Sequence, residues 1–417
     1  MIKIFKNKTY KFLRWTEKWT KTDMVYLSYG SFWSMMGSST SMLSAFLISL
    51  AFANLVPTEI YGSYNYILSI YNLLAISTLS GMQTAINRAA AKGHDAMLDV
   101  CMKTSIRWGF LGGLLSLFLS LYNHYKGDVN LTYSFLVIAV FIPFMDPLNS
   151  YVSFLQGKQQ FKLVSKYSIV RDVFITISTV VTLLLTKNII VVIFMYFITR
   201  TIIRFILLKL TIKKVRPNQE VDSTIVKFGW HFSFMGIFEI CASQLDSILI
   251  WHFLGPTSIA IYSFAQLPIN QLKGLSKNFS SLAFPKLAGS SVEYIKNSLN
   301  PKIKKSFLIV IFIAALYYFS SPFVFKILFP KYLESIKLTK ILSVTILLIP
   351  FSLYNTTLVA HGRYRELYSL SVSYNVIKLI LYFLLLPLYG LMGMVVSIVI
   401  MEILINLITF FLYRRLK

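Results

Sequence analysis

Acidic residues and cysteines are scarce in this sequence. Its 417 residues include 16 Asp and Glu against 41 Lys and Arg, and charged residues make up only 14% of the chain. Soluble domains carry about 25% charged residues, so a soluble globular protein is excluded. The two cysteines, Cys101 and Cys241, give no disulfide framework.

Catalytic signatures are missing as well. The sequence contains no GxxxxGK[ST], HExxH, GxSxG or CxxC pattern, and its five histidines are scattered singly. We therefore predict no enzyme activity, no cofactor and no metal site. The net charge of +25 would suggest a nucleic-acid partner in a soluble chain, but membrane orientation accounts for it here, and no nucleic-acid binding is expected.

Long apolar runs dominate the chain, of which 56% is hydrophobic. Runs of 18 or more nearly uncharged residues recur along it, and each is long enough to cross a hydrocarbon core about 30 Å thick. The predicted fold class is an all-α polytopic membrane protein with twelve transmembrane helices. The predicted helices are 28–53, 63–87, 105–122, 131–155, 167–186, 188–209, 228–253, 258–282, 306–327, 335–360, 367–386 and 390–412.

Basic residues lie mainly on one side of this topology. With the N-terminus inside, most Lys and Arg fall in cytoplasmic segments. The opposite side holds only Lys126, Lys187, Lys331, Lys337 and Lys340. This bias predicts a multi-pass membrane protein with both termini cytoplasmic, and no signal peptide is visible.

The chain divides into four predicted segments. Residues 1–27 place Phe12, Trp15 and Trp19 on one face among many lysines, which predicts a basic amphipathic helix on the inner leaflet. Helices one to six form an N-lobe at 28–209, and helices seven to twelve form a C-lobe at 228–417. The cytoplasmic linker at 210–227 contains the helix stopper Pro217.

An internal repeat relates the two halves. NLVPTEI at 54–60 follows the first helix, and FLGPTSI at 253–259 follows the seventh. Two further matches occur in the same order: Asn87-Arg88 with Pro285-Lys286, and Gln156-Gly157-Lys158 with His361-Gly362-Arg363. Six helices per half make the two halves parallel, so a substrate path is expected between them.

Polar side chains form stripes on several helices, where they normally face a wet cavity or a partner. The eighth helix carries Gln266, Asn270, Lys273 and Lys277 at i, i+4, i+7 and i+11. We interpret this stripe as a cavity wall; the alternative is that Lys277 extends to the inner interface. The second helix, its repeat partner, carries Asn65, Ser69, Asn72, Ser80, Gln83 and Asn87.

The first and seventh helices also have polar sides. The seventh carries Glu239, Ser243 and Asp246. Ser34, Ser38 and Ser41 on the first helix indicate either a cavity wall or close helix packing.

Other intramembrane charges allow two interpretations each. Arg171 either adds to a cationic surface or pairs locally with Asp172. Asp146, between two prolines that predict a kink, is a candidate for ion or proton coupling. Extension to the interface is expected for Arg200 and Arg204. A structural ion pair is expected between Lys378 and Glu402, and a packing contact at the GxxxG of Gly109 and Gly113.

The parallel six-helix halves, the LxPTxI turn and Gln244-x-Asp246 resemble the Wzx-type O-antigen flippases. These form the polysaccharide transporter branch of the superfamily that also contains MATE exporters. The resemblance covers the chain from about residue 28, and the long N-terminal segment departs from it. It implies two lobes around a V-shaped cleft that opens alternately to each side.

The resemblance also implies a cargo, an undecaprenyl-pyrophosphate-linked oligosaccharide carried from the cytoplasmic to the periplasmic leaflet. Further implied partners are membrane lipids, H⁺ or Na⁺, a polysaccharide polymerase and a chain-length regulator. A cationic surface attracts a diphosphate. The expected diphosphate contacts are Arg88, Arg171, Lys273 and Lys277, with Gln266 and Asn270 beside them. Glu239, Asp246 and Asp146 are expected to contact sugar hydroxyls or a coupling cation.

Two rival functions stay open. A MATE-type antiporter for cationic drugs has the same fold, although a positive cleft does not suit a cation. A membrane-embedded O-antigen polymerase also has many helices, but it needs a sizeable periplasmic loop. The longest predicted outward segment, near 327–340, is short.

Overall fold

The protein is built from helices. The computed structural model describes residues 24–222 and 224–416, and for 24–29, 31, 275–286, 288 and 364 it describes the backbone alone. Regular structure in these residues is entirely helical. The helices are α1 Met24–Leu55, α2 Thr58–Leu74, α3 Gly81–Lys92, α4 Met97–Tyr125, α5 Val129–Met145, α6 Ser150–Gly157, α7 Phe161–Leu185, α8 Ile189–Val215, α9 Thr224–Leu254, α10 Pro256–Ala288, α11 Val292–Leu328, α12 Ser335–Leu342, α13 Ser352–Ala360 and α14 Tyr364–Arg414. Of the predicted N-terminal segment, 1–23 lies outside the described residues.

Each of the twelve predicted transmembrane segments coincides with helix. Three of them are divided, because short 3-10 turns interrupt the second, fourth and tenth segments. The last two segments form one run, α14, which is broken at Gly390, where φ is 58° and ψ is −143°. A residue with a Cβ is strongly disfavoured in that conformation, so the glycine fixes the point where one segment ends and the next begins.

Nine segments within the described residues are long and apolar enough to span a membrane. The predicted second and eighth segments do not qualify. The second is divided into α2 and α3, and the eighth, α10, carries its polar stripe through the described part. These two segments are repeat partners, so the second helix of each half is the less apolar one. The chain is a polytopic membrane protein.

The helices form two compact units. One comprises Gly37–Ile261, and the other joins Tyr262–Lys417 with residues up to Met36. We call them the first unit and the second unit, in the order of their main segments. The first unit therefore contains the whole of α9, the predicted seventh helix. The predicted lobes 28–209 and 228–417 and the linker 210–227 stay predictions.

Glycines allow close helix packing in the first unit. A Cβ at Gly109 would lie 2.8 Å from the Cα of Pro143, and one at Gly113 would lie 2.8 Å from the carbonyl oxygen of Ala139. The packing role predicted for this GxxxG is confirmed, since both glycines bring α4 against α5. Gly81 likewise brings the start of α3 onto α9, because a Cβ there would lie 2.4 Å from the carbonyl oxygen of Gly229.

Candidate functional site

A break in the predicted second helix exposes polar groups inside the first unit. After α2, residues Ala75–Thr78 form a 3-10 turn, and Leu79 adopts a left-handed conformation with φ 59° and ψ 72°. This conformation is uncommon for a residue with a side chain. Because the chain changes direction there, Ser80 and Gln83 start a new helical face on α3. The sequence predicted one continuous helix at 63–87, and no proline or glycine before Gly81 marks the break.

A second break lies opposite, in the predicted fourth helix. Pro143 lies in the last turn of α5, and a 3-10 turn at Pro147–Asn149 separates α5 from α6. The kink expected from the two prolines is therefore confirmed. Proline removes a backbone donor and clashes with the preceding turn, so the helix cannot continue through Asp146.

Gln83 connects the two breaks. Its Nε2 donates to the carbonyl oxygen of Asp146 at 3.3 Å and to the hydroxyl of Ser150 at 3.2 Å. Its Oε1 accepts from the hydroxyl of Ser153 at 2.9 Å. One amide side chain on α3 thus bonds to the turn after α5 and to two hydroxyls of α6.

Asp146 is held from two sides. The Tyr71 hydroxyl donates to its Oδ2 at 2.8 Å, and the Arg204 Nη1 donates to its Oδ1 at 3.0 Å. Arg204 also donates to the carbonyl oxygen of Met145 at 2.5 Å. Arg204 is only 7% exposed, so its predicted extension to the interface is wrong. The carboxylate of Asp146, which is partly exposed, binds its guanidinium instead. Arg200, a turn earlier, hydrogen-bonds the Tyr196 hydroxyl and lies over the same ring.

A cavity of about 310 Å³ lies between these breaks and α9. Polar side chains from three predicted segments converge on it. Its lining residues are Asn72, Ala75, Ile76, Thr78, Leu79, Ser80, Gln83, Asp146, Pro147, Asn149, Ile240, Ser243 and Gln244. The cavity therefore combines amide, hydroxyl and carboxylate groups with an apolar floor.

The amides of the cavity are positioned by one another. The Asn72 Nδ2 donates to the Gln244 Oε1 at 3.1 Å, and the Gln244 Nε2 donates to the Ser243 hydroxyl at 2.8 Å. The Oδ1 of Asn149 is buried and has no hydrogen-bond partner among the described residues. A buried acceptor without a donor is costly, so Asn149 offers a place for a hydroxyl from outside the protein.

The acidic residues predicted on the seventh helix lie outside this lining. Glu239 is exposed on α9, and Asp246, two residues beyond Gln244, is partly buried. Of the polar side predicted for this helix, Ser243 lines the cavity, and the adjacent Gln244 lines it as well. Asn149 and Tyr71 were missed by the sequence reasoning, although Asn149 directly follows the Pro147 that marked the kink.

Two predicted cationic residues of the first unit lie away from the cavity. The Arg88 side chain is exposed, and its guanidinium lies 4.6 Å from the centroid of the Phe228 ring. The Arg171 Nε donates to the Asp172 Oδ1 at 2.8 Å. Ser41 donates to the other oxygen of Asp172 at 2.5 Å, so this serine joins α1 to α7. Of the two interpretations given for Arg171, the structure shows the local pairing with Asp172.

The predicted polar stripe of the eighth helix lies in the second unit. The Asn270 Nδ2 donates weakly to the Gln266 Oε1 at 3.5 Å, and the Lys273 Nζ donates to the Glu402 Oε1 at 2.8 Å. The side chain of Lys277 lies outside the described residues. Both members of the Lys273–Glu402 pair keep about a quarter of their side-chain surface exposed.

The predicted pairing of Lys378 with Glu402 is wrong. Lys273 occupies the carboxylate instead, and the ammonium group of Lys378 lies 5.0 Å from the centroid of the Tyr382 ring. Lys378 and Tyr382 are one turn apart on α14, a spacing that brings side chains together. No cluster of metal-ligating residues occurs among the described residues.

Solved structures with the same fold are membrane transporters. An inward-facing multidrug-resistance MATE transporter is 15% identical over 90% of this chain and 94% of its own, with a TM-score of 0.65. The outward-facing conformation of such a transporter is 14% identical over 93% and 94%, with a TM-score of 0.59. A MOP-superfamily transporter from Pyrococcus furiosus is 13% identical over 93% and 94%, with a TM-score of 0.61, and its binding pocket is described as having reversed polarity.

Sequence comparison gives the family. No significant match was found among curated proteins. A family model described as "Polysaccharide biosynthesis protein" matches residues 27–290, which include α2, α3, α5, α6 and α9 around the cavity. The match covers more than half of the chain. The chain belongs to this polysaccharide biosynthesis protein family, and its fold is that of the MATE and MOP transporters.

Proposed function

We propose that this protein is a flippase for a lipid-linked oligosaccharide. In the proposal, it moves an undecaprenyl-pyrophosphate-linked repeat unit, such as that of O-antigen, from the cytoplasmic to the periplasmic leaflet of a bacterial inner membrane. Both termini are cytoplasmic, and the two leaflets are reached by alternating access. A polar sugar chain cannot cross a hydrocarbon core unaided, so a lipid-linked oligosaccharide needs a transporter. Membership of a polysaccharide biosynthesis family suits this role.

The observation that carries this proposal is the cavity of amides and hydroxyls in the first unit. Sugars present many hydroxyls, each both a donor and an acceptor, and the side-chain amides of Asn72, Gln83 and Gln244 can bond to either function. The unpaired Oδ1 of Asn149 is a ready acceptor for one of them. Among the described residues that line the cavity, Asp146 is the one carboxylate, and Arg204 already neutralises it. A hydrophobic cation would therefore find no unpaired negative charge on these residues, which favours a sugar over a drug cargo.

The diphosphate is proposed to bind basic residues of the predicted cytoplasmic half of the membrane. Lys273 and Lys277 on α10 are the main candidates, with Gln266 and Asn270 beside them, and Arg88 and Arg171 are further ones. Glu402 and Asp172 already neutralise two of these cations. A diphosphate would therefore have to displace Glu402 from Lys273, and this exchange provides a route for both binding and release.

Asp146, Glu239 and Asp246 are retained as proposed sugar contacts or coupling groups. Asp146 reaches the cavity while Arg204 and Tyr71 hold its carboxylate. Its backbone carbonyl oxygen also accepts from the Asn149 N–H at 3.0 Å and from the Gln83 Nε2 at 3.3 Å, so the same residue helps to hold Asn149 at the break. Glu239 and Asp246 remain candidates for binding the H⁺ or Na⁺ that would drive transport.

A strain without this gene tests the proposal. We expect no polymer at its surface and accumulation of the complete lipid-linked unit on the cytoplasmic leaflet. Surface-polysaccharide gels measure the polymer, and labelling in membrane vesicles measures the lipid-linked unit. If single units still reach the surface and only chain lengthening fails, the protein is a polymerase. An unchanged surface polymer with altered drug resistance would favour a MATE-type antiporter.

Variants of the cavity locate the sugar contact. Gln244→Leu is expected to lower the flipping rate of the complemented strain about 5- to 150-fold, because losing a hydrogen bond to the cargo and leaving its partner unpaired costs about 1–3 kcal/mol. Ser247→Ala, on the same helix and away from the cavity lining, is the matched control. Equal flipping by both variants would show that the cargo does not use this cavity.

A further inference from the structure

Corresponding ends of the two halves differ in one electrostatic feature. The sequence repeat pairs Gln156-Gly157-Lys158 with His361-Gly362-Arg363. A loop after the second segment of each half begins with glycine, giving Gly93-His94-Asp95 in the first half and Gly289-Ser290-Ser291 in the second. The first loop supplies a carboxylate, whereas the second supplies two hydroxyls.

In the first unit this carboxylate is buried and pairs with the basic residue of the repeat. The Asp95 Oδ1 lies 2.6 Å from the Lys158 Nζ, and Asp95 is only 5% exposed. Asn218, after α8, donates its backbone N–H to the Asp95 Oδ2 at 3.4 Å and its side-chain Nδ2 to the Gly93 carbonyl oxygen at 2.7 Å. The basic residue of the repeat thus has an internal anion.

In the second unit the corresponding position is an open cavity of about 710 Å³. Its lining residues are Ser290, Ser291, Val292, His361, Arg363, Arg415 and Leu416. Arg363 takes the place of Lys158, and Arg415, beside the C-terminal end of α14, adds a second guanidinium. The Nε2 of His361 is buried and has no hydrogen-bond partner among the described residues.

The charges around this cavity leave an excess of positive charge. The Nη2 and Nε of Arg363 bind the Glu366 carboxylate at 2.5 Å and 2.9 Å, which holds the guanidinium in place. The remaining N–H groups of this guanidinium do not take part in the pair with Glu366. Arg415 is exposed. Lys296 donates to the Leu416 carbonyl oxygen at 2.6 Å, and the exposed Glu293 on the first turn of α11 is not part of the lining.

We propose that this cavity binds a phosphate group that replaces the carboxylate missing from the second half. Two guanidinium groups, an imidazole and two serine hydroxyls are a donor set that suits phosphate oxygens. The ligand would be the headgroup of an anionic phospholipid or free phosphate. Basic pockets at the cytoplasmic ends of membrane helices suit the former, and the orientation predicted here places the cavity at that end.

The test is a binding measurement on the purified full-length protein, and it requires no cargo. The midpoint of thermal unfolding in a neutral detergent is followed while phosphatidylglycerol, phosphatidylcholine or inorganic phosphate is added. Phosphatidylglycerol alone is expected to raise the midpoint if the site takes a lipid headgroup. A rise with inorganic phosphate as well identifies free phosphate, and a rise with phosphatidylcholine equal to that with phosphatidylglycerol, or no rise at all, overturns the proposal.

Adjacent arginines provide a matched pair of variants. Arg415→Gln is expected to weaken binding about tenfold, as for loss of one charge-assisted hydrogen bond. Arg414→Gln makes the same charge change one residue earlier, where the guanidinium lies over the Phe410 ring and outside the cavity lining, and it should bind as the parent does. Equal weakening by both would indicate a general surface-charge effect and overturn the site.

Ser291→Asp gives an independent test by restoring the carboxylate of the first half. Ser291 is the N-cap of α11, and Asp serves as well in that position, so the variant should fold. We expect it to be more stable than the parent without added lipid and to lose the response to phosphate ligands. A variant that still responds fully would show that the ligand binds elsewhere.

Discussion

At the scale of single residues, the ion pair of Lys273 and Glu402 combines two roles that mutation can separate. Lys273→Gln removes a cation from the polar stripe and also leaves the Glu402 carboxylate without the partner that lies 2.8 Å away. We expect both lower stability, by about 1–3 kcal/mol, and loss of flipping. The two effects are measured by thermal unfolding in detergent and by surface polysaccharide in a complemented strain.

The double variant Lys273→Gln with Glu402→Gln distinguishes the two roles. Because it removes the unpaired carboxylate, it should regain most of the stability and still fail to flip if Lys273 binds the diphosphate. Recovery of both properties would reduce the lysine to a structural partner. Wild-type flipping after replacement of both Lys273 and Lys277 by Ala would refute the cationic binding role directly.

The sequence predicted which helix carries each charged residue, but it was less reliable in predicting the residue with which each one pairs. The spacing of Gln266, Asn270 and Lys273 predicted a polar stripe. In the structure, Asn270 bonds to Gln266 along α10, and Lys273 bonds to Glu402 on α14. Glu402 was assigned to Lys378, because depth in the membrane can be read from sequence while the rotation of a helix about its axis cannot. Arg204 was misassigned for the same reason, since its partner Asp146 lies 58 residues earlier.

At the scale of helices, the contact between α3 and α9 depends on Gly81. Its N–H donates to the Ser233 hydroxyl at 3.0 Å, and a Cβ at this position would lie 2.4 Å from two backbone atoms, the Gly229 oxygen and the Ser233 nitrogen. Gly81→Ala should therefore separate the helices and lower stability by about 1–3 kcal/mol. The measurement is the fraction of monodisperse protein left after heating, by fluorescence-detected gel filtration.

Gly236→Ala on α9 is the control for this substitution. Its Cβ would meet only the Ser80 hydroxyl, at 4.0 Å, so the added methyl should be neutral or slightly stabilising through higher helix propensity. A Gly81→Ala protein as stable as the control would mean that the two helices are not packed as closely as described here.

Helix breaks were predictable where proline causes them. Pro143 and Pro147 predicted the interruption near Asp146, whereas the break at Leu79 has no such residue and was missed. There, local side-chain hydrogen bonds compete with the helical backbone pattern: the hydroxyls of Ser77 and Thr78 donate to the carbonyl oxygens of Leu74 and Ala75, three residues earlier. The repeat of the loops was visible in the sequence. Only the structure shows that Asp95 pairs with Lys158 in the first half, whereas Ser291 lines an open cavity in the second half.

At the scale of the whole molecule, the asymmetric distribution of Lys and Arg predicts the orientation in the membrane. Two exposed loop residues test it, Lys187 between α7 and α8 and Gln219 between α8 and α9. They are separated by a single segment, α8, which meets the length and composition required to span a membrane. Exposed loops on the two sides of one spanning helix must face opposite compartments, so one of them should be accessible from outside the cell and the other should not.

The experiment uses single cysteines in a background with Cys101→Ser and Cys241→Ser. Lys187→Cys is expected to react with a membrane-impermeant maleimide in intact spheroplasts, and Gln219→Cys only after permeabilisation. The cysteine-free protein controls for background labelling, and retained surface polysaccharide shows that each variant is folded and inserted. Reversed labelling would place the cavity of Arg363 and Arg415 on the periplasmic side. It would also place the predicted diphosphate contacts on the leaflet where the cargo is released, whereas the cargo is made on the other leaflet. Labelling of both cysteines in intact spheroplasts would instead mean that α8 does not span the membrane.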